Sequence, residues 1–359
     1  MTSENDATPQ GSVSVQVDPF AKAISKLEVA RSSKVIVYIT GDRLLNLNGL
    51  VPPGAPVPAS LSTQVSPDVL PYLHAILRSL GNTQRISLAL YTNGGLIETP
   101  WPLVNLIREY CKEFEVINLQ KSLSAGTLIA LGADKIIMPK GSHMSPIDPA
   151  RLQTDLNKMP KNLEIEDILG YIDFAKNKVG INDQTALGEV LKELSKEIEP
   201  SIIGSINRAH SLVRRLAKML LGLHEKAIPE HQSVALIEQL TEKLFSHNHL
   251  INRREAIEIG FGELIEKPSA ANERLILALY DLYADKMKFA EPMVPTAIAN
   301  ANPELVSGEG FQEDCLTAVI RTKDVKYKFE PKVTLKSVGS PNGQQLNIQL
   351  SNEMWVKEP

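Results

Sequence analysis

Between Lys34 and Met138, short β-branched runs alternate with runs of helical period, and this order leaves few architectures open. Lys34-Val35-Ile36-Val37-Tyr38-Ile39-Thr40-Gly41 reads as a strand buried on both faces. Pro67 to Leu80 then sets Val69, Leu70, Leu73, Ile76, Leu77 and Leu80 on one helical face. Three further strands are expected over Ile86–Leu90, Phe114–Leu119 and Lys135–Met138, separated by helices opening at Pro102-Leu103-Val104-Asn105-Leu106-Ile107 and over Thr127–Ala133. Strand and helix in strict turn predict a parallel sheet with helices on its faces. In such folds reacting groups collect where strands end and helices begin.

Two of these junctions carry chemistry. The second strand runs out through Tyr91-Thr92-Asn93 into Gly94-Gly95, and paired glycines let a backbone N–H come close to a bound carbonyl. The third gives way to Ser122-Leu123-Ser124-Ala125-Gly126-Thr127, which places Ser124 at a helix N-terminus. Unpaired N–H groups and a positive dipole end favour an oxyanion there. A serine at this place also serves simply as an N-cap.

After the next strand comes Met144-Ser145-Pro146-Ile147-Asp148-Pro149. Strand-Gly-Gly, Ser-Ala-Gly-Thr and Ile-Asp-Pro in this spacing resemble the Clp-protease/crotonase superfamily and, within it, the serine dehydrogenase proteinase family, relatives of signal peptide peptidase A. The likeness extends to His247-Asn248-His249-Leu250-Ile251-Asn252-Arg253-Arg254-Glu255-Ala256-Ile257-Glu258-Ile259-Gly260, which looks like the Glu-Ala-x-x-x-Gly helix ending such domains, and covers about residues 33–290. The resemblance implies an α/β fold with a repeated β-β-α core, a helical insertion and a small C-terminal β appendage. It implies a peptidase that forms an acyl-enzyme on Ser124, with the amides of Gly95 and Ala125 as oxyanion donors. It also implies a homo-oligomer acting on peptide or protein substrates, with a regulatory protein as a further partner.

The general base stays open between two arrangements. One is a triad of Ser124, His249 or His247, and Asp148, with the imidazole as base and the carboxylate orienting it. The other is a serine–lysine dyad, with Lys158 or Lys161 delivered by the helical insertion and desolvated to lose its proton near neutral pH. His143 is a third imidazole candidate. Asp148, between Ile147 and Pro149, also suits an aspartate bonded to its own turn. The lysine that relatives carry beside the nucleophile is absent; Leu123 stands there, and Lys121 lies three residues before Ser124. His247 and His249 form a His-x-His pair without further ligands in sequence, so no metal is expected.

The rest of the chain narrows the class. Of 359 residues, 38 are basic and 42 acidic, a balance that gives no electrostatic case for nucleic acid or an anionic membrane. Cys111 and Cys315 have neither metal-ligand nor disulfide-framework spacing, which suits a reducing, cytoplasmic setting. No run approaches the roughly twenty apolar residues of a membrane helix. No Gly-x-x-x-x-Gly-Lys loop occurs, so neither ATP nor another cofactor is expected.

Four segments are expected. Residues 1–31 form a disordered tail with a short helix over Phe20–Ala30, and residues 32–150 form the core. Residues 151–290 form a helical region completing it, with helices over Ile202–Leu223, Ser233–Phe245 and Ala271–Lys286. Residues 291–359 form a linker and β-hairpin appendage, its turn at Pro341-Asn342-Gly343, lying on the core or on a neighbouring subunit. Arg214, Arg215 and Lys218 read as a solvated helix face, while the Ile202–Leu223 helix carries more apolar surface than one face requires. Two other functions fit the same fold. One is an assembly module without catalysis; the other is a crotonase-like acyl-CoA enzyme, in which the N–H pair would face a thioester enolate.

Overall fold

The computed structural model describes residues 18–46, 60–61, 63–147, 165–244, 246–340 and 343–358. Helix α1 (Pro19–Arg31) starts at Asp18, whose carboxylate accepts the Phe20 N–H at 2.9 Å. Its inward spacing buries Ile24 and Leu27. Strand β1 (Lys34–Thr40) follows, buried from Val35 onward. The proline-rich stretch between Asp42 and Pro67, a loop by its composition, holds two short antiparallel strands, β2 (Arg43–Leu44) and β3 (Ser60–Leu61). A 3-10 turn over Pro67–Val69 leads into α2 (Leu70–Leu80).

From there the alternation is regular: β4 (Thr83–Thr92), α3 (Pro100–Arg108), β5 (Cys111–Ser122), α4 (Ala125–Leu131) and β6 (Lys135–Ile137). Strands β1, β4, β5 and β6 lie side by side and parallel, as the pattern requires. One irregularity matters below. Leu90 pairs with Asn118 but Thr92 pairs with Ser122, so β5 carries two more residues than β4 over this interval. Such a bulge bends the strand and re-aims its side chains.

The short β7 (His143–Met144) pairs parallel with the carboxyl end of β5. Helices α5 (Ile165–Asp173), α6 (Gln184–Glu197), α7 (Pro200–Leu221) and α8 (Glu230–Glu238) come next. Then β8 (Ile251–Asn252) pairs with β7, and α9 (Arg253–Ala256), β9 (Ile265–Glu266) and α10 (Ala270–Lys286) complete the region. One face of the sheet is covered by α2, α3, α4 and α7, the other by α1 and α10. The apolar surface of α7 is spent inside the chain: Val213, Leu216, Ala217, Leu220 and Leu221 are buried. Its Arg214 and Lys218 make surface ion pairs with Glu242 and Glu230. Unspent apolar surface lies instead on α5, α6 and their connection, where Tyr171, Phe174, Val179 and Leu191 are exposed.

The stretch expected as a linker contains α11 (Pro295–Ala301) and α12 (Pro303–Ser307), each with proline at its first position, where a missing N–H costs nothing. Six strands follow: β10 (Phe311–Asp314), β11 (Ala318–Arg321), β12 (Lys326–Phe329), β13 (Lys332–Ser340), β14 (Gly343–Ser351) and β15 (Trp355–Glu358). Ser340 pairs with Gly343 across the expected turn; Pro341 and Asn342 themselves lie outside the described residues. The C-terminal unit sits on the core. β11 adds antiparallel to β1, giving the order β15-β12-β11-β1-β4-β5-β6-β9, while β10, β13 and β14 form a separate sheet.

Trp355 fastens this unit to the core. Its ring packs 5.6 Å from Tyr72 and 5.8 Å from Phe329, and its indole N–H donates to Asp68 at 2.8 Å. Trp355→Ala is expected to lower stability by about 3–5 kcal/mol, read from urea unfolding.

Candidate active site

β5 delivers Ser124 to the carboxyl edge of the sheet, immediately before α4. Its backbone has φ +50° and ψ −109°, a conformation that L side chains rarely adopt. The turn is held on every side. Ser124 donates its N–H to the Ser145 hydroxyl at 2.8 Å, and its carbonyl accepts the Leu128 N–H at 3.0 Å. The Leu123 N–H reaches the Thr92 carbonyl at 3.0 Å. The Thr127 hydroxyl lies 2.9 Å from the carbonyls of both Ser122 and Ser145.

Strain confined to one residue and fixed by its surroundings points to function. The side chain does not cap α4, and among the described residues the Ser124 hydroxyl makes no hydrogen bond. It is half-buried at the surface of the turn. Ser122, by contrast, is fully buried and its hydroxyl has no partner among the described residues. A substrate cannot reach it.

Gly94 and Gly95 come against this turn. A Cβ on Gly94 would lie 2.8 Å from the Ser124 Cβ, and φ there is +106°, so only glycine fits. The Gly94 N–H is taken by the Thr92 hydroxyl at 2.9 Å, which the Thr40 hydroxyl supports in turn at 2.7 Å. The Gly94 carbonyl accepts the Val65 N–H and the Leu96 N–H donates to the Val65 carbonyl, a parallel bridge that does not use the Gly95 N–H. Ala125 stands at the first position of α4, where an N–H has no intrahelical acceptor. Two donors therefore remain unclaimed beside Ser124 among the described residues.

The base candidates fare differently. Asp148, Lys158 and Lys161 lie outside the described residues. His249 is placed just before β8, with Nε2 2.6 Å from Glu255 Oε1. His143 sits on β7, opposite Lys121 on one side and Asn252 on the other. No hydrogen bond joins Ser124 to His143 or His249. Among the described residues no cluster of three or more His, Cys, Asp or Glu is arranged to hold a metal. Ser145, Thr127 and Thr92 carry no sequence signal of their part in the turn. Ser145 lies inside the quoted Met144–Pro149 run and Thr92 just before Asn93-Gly94-Gly95, but a small hydroxyl residue has no pattern that announces which backbone group it will hold.

Compared with known proteins, residues 8–300 match the family described as ClpP-like SDH-type serine proteinases. The chain belongs to this family. An uncharacterized protein of Methanocaldococcus jannaschii is 27% identical over 239 residues, 67% of this chain and 71% of its own. Among solved structures, the membrane-bound stomatin-specific protease 1510-N aligns at 16% identity over 55% of this chain and 70% of that one, with a TM-score of 0.32. ClpP1 from Listeria monocytogenes aligns at 14% identity over 58% and 90%, with a TM-score of 0.33. The fold is ClpP-like, an α/β core whose mostly parallel sheet presents Ser124 at its carboxyl edge. No described helix is long and apolar enough to cross a membrane.

The two buried serines flanking this turn respond oppositely to truncation. Ser145→Ala strands the Ser124 N–H and is expected to cost about 1–3 kcal/mol, whereas Ser122→Ala removes an unpaired buried hydroxyl and is expected to be neutral or stabilising. Urea unfolding of the two variants beside the parent protein checks both signs.

Proposed function

We propose that this chain is an intracellular serine peptidase that cleaves peptide bonds through an acyl-enzyme on Ser124. The observation that carries the reading is the left-handed backbone at Ser124, which holds a partnerless hydroxyl beside two unclaimed N–H donors. The Ser124 oxygen attacks the peptide carbonyl carbon, its proton passes to the base, and negative charge gathers on the carbonyl oxygen. The N–H groups of Gly95 and Ala125 face that oxygen. One such donor is worth about 2.7–4 kcal/mol in acyl transfer. Collapse breaks the C–N bond, the amine leaves with the proton from the base, and water then attacks the ester to release the acid and restore the serine.

His249 is the proposed base. In the triad read from the sequence Asp148 orients the ring; Glu255 lies at Nε2 instead, and with Glu255 in that role Nδ1 is the nitrogen left to take the proton. The substrates are peptides or proteins, and no cofactor enters the chemistry. The exposed apolar residues of α5 and α6 support a homo-oligomer assembled through that helical pair. Unpaired Cys111 and Cys315 support a reducing, cytoplasmic setting. The two N–H donors alone would equally suit a thioester enolate; the unbonded Ser124 hydroxyl beside them is what favours the peptidase over an acyl-CoA enzyme or a module without catalysis.

Incubation with a fluorophosphonate tests the reading. A single adduct on Ser124, absent in Ser124→Ala and retained in Ser122→Ala, is the expected mass-spectrometric result. An unmodified parent protein under the same conditions rejects it.

A further inference from the structure

On the face of the sheet away from α4, a second polar cluster lies at the carboxyl ends of β1, β4 and β5. Asp42 is its centre. One carboxylate oxygen accepts the Asn93 amide at 2.6 Å; the other accepts the Tyr91 hydroxyl at 3.1 Å and pairs with the Lys121 ammonium. The ammonium also stands 5.2 Å from the centre of the Tyr91 ring, which stacks on Phe289 at 4.8 Å. Tyr280 of α10 closes the cluster, its hydroxyl donating to Gln120 at 2.8 Å.

Two of the three groups on Asp42 have telling places in the chain. Asn93 immediately precedes Gly94 and Gly95, and Lys121 precedes Ser124 by three residues. Between them lies the bulge, where β5 runs two residues longer than β4 and the ladder resumes only at Thr92 and Ser122. Past the bulge the Thr92–Ser122 pair and the Leu123 N–H on the Thr92 carbonyl join the two turns by backbone. Two side chains reinforce that link from the other face, and they meet on one carboxylate.

We infer that Asp42 is a positioning residue for the Ser124 site. Its carboxylate ties the turn presenting the Gly95 N–H to the strand presenting Ser124 and the Ala125 N–H, and so fixes the spacing of the two donors. The inference rests on the peptidase reading of Ser124. Oxyanion donors act only when held within a fraction of an ångström of the developing charge, so a tie outside the site governs rate without touching substrate. Charge-assisted hydrogen bonds are the strongest available for the purpose. Asp42 takes no part in bond making.

The experiment is fluorophosphonate labelling of the full chain at several probe concentrations, which separates the maximal labelling rate at Ser124 from the half-saturating concentration. Asn93→Ala removes one arm of the tie at an exposed side chain; Asp42→Asn removes the charge, and Asp42→Glu restores it. Loss of the tie is expected to lower the maximal rate about tenfold in Asn93→Ala, and further in Asp42→Asn, the order expected for losing such hydrogen bonds. The half-saturating concentration stays put, melting shifts by no more than about 3 °C in Asn93→Ala, and Asp42→Glu regains part of the rate. Should Asp42→Asn fail to fold, Asn93→Ala decides alone. Parent-like rates in folded variants, with the parent protein labelled, overturn the role of Asp42 and leave the peptidase reading standing. No labelling of the parent protein removes both.

Discussion

A residue with a Cβ held at positive φ costs about 1–3 kcal/mol and persists only where its surroundings over-determine it. Ser124 meets that condition through α4. At its start the helix is pinned by the Ser145 and Thr127 hydroxyls and by Gly94, which leaves room for no side chain against the serine. Past its other end, Arg108 donates to the Gly132 carbonyl at 2.7 Å, and the His224 ring nitrogen lies 2.7 Å from the Leu131 carbonyl. Burial presses the His224 pKa down, so its neutral ring is retained there. With all its residues from Ala125 to Leu131 buried, α4 cannot slide to relieve the turn. The strained serine is thus a property of the packed core, set by contacts on both sides of the helix.

The C-terminal unit serves the same end from a distance. Without β11, β1 would be an edge strand with unpaired backbone groups, open to slippage and to pairing with other chains. β11 closes that edge from Ala318 to Arg321, and Arg43 reaches across to Glu313 at 2.7 Å. The Gly41 N–H bonds the Thr317 carbonyl, which fixes the chain just before Asp42. The carboxylate that joins the two turns therefore takes its own position from the last fifty residues.

The parallel core was legible because each element there is long enough for its period to show: Val35 to Thr40 buried without interruption, and Leu73, Ile76 and Leu77 on one helical face. Ser124 at its strand-helix junction was legible for the same reason. The rest of the site was not. A bulge in β5 leaves no trace in a run such as Asn118-Leu119-Gln120-Lys121, because both registers offer acceptable residues to both faces. Asp42, at the head of a proline-rich stretch, looks like any turn aspartate. The short helices at Pro295 and Pro303 were hidden by the same prolines that start them, since proline marks a first turn as readily as a linker. The apolar content of Ile202–Leu223 suggested spare surface because its partners, α3, α4 and α8, cannot be read from the helix itself.

Charge is distributed unequally between the two edges of the sheet, and that division bears on how the site works. At the amino edge Arg31 pairs with both Glu115 and Glu266, Arg85 pairs with Glu113, and the Ser87 hydroxyl donates to Glu115 at 2.5 Å. These side chains satisfy one another, binding α1, β4, β5 and β9 together where no reacting group stands. At the carboxyl edge, among the described residues, the Asp42–Lys121 pair lies to one side and His249–Glu255 beyond β7, and the turn itself is built from hydroxyls and backbone amides. Among the described residues this turn holds no positive side chain, so on the peptidase reading an oxyanion would be met by two aimed dipoles. Dipoles of that kind lose their effect with small displacements where a mobile cation would follow the charge. On that reading a site built this way gains from having its spacing reinforced from outside, which is what the proposed carboxylate tie on the far face of the sheet would supply.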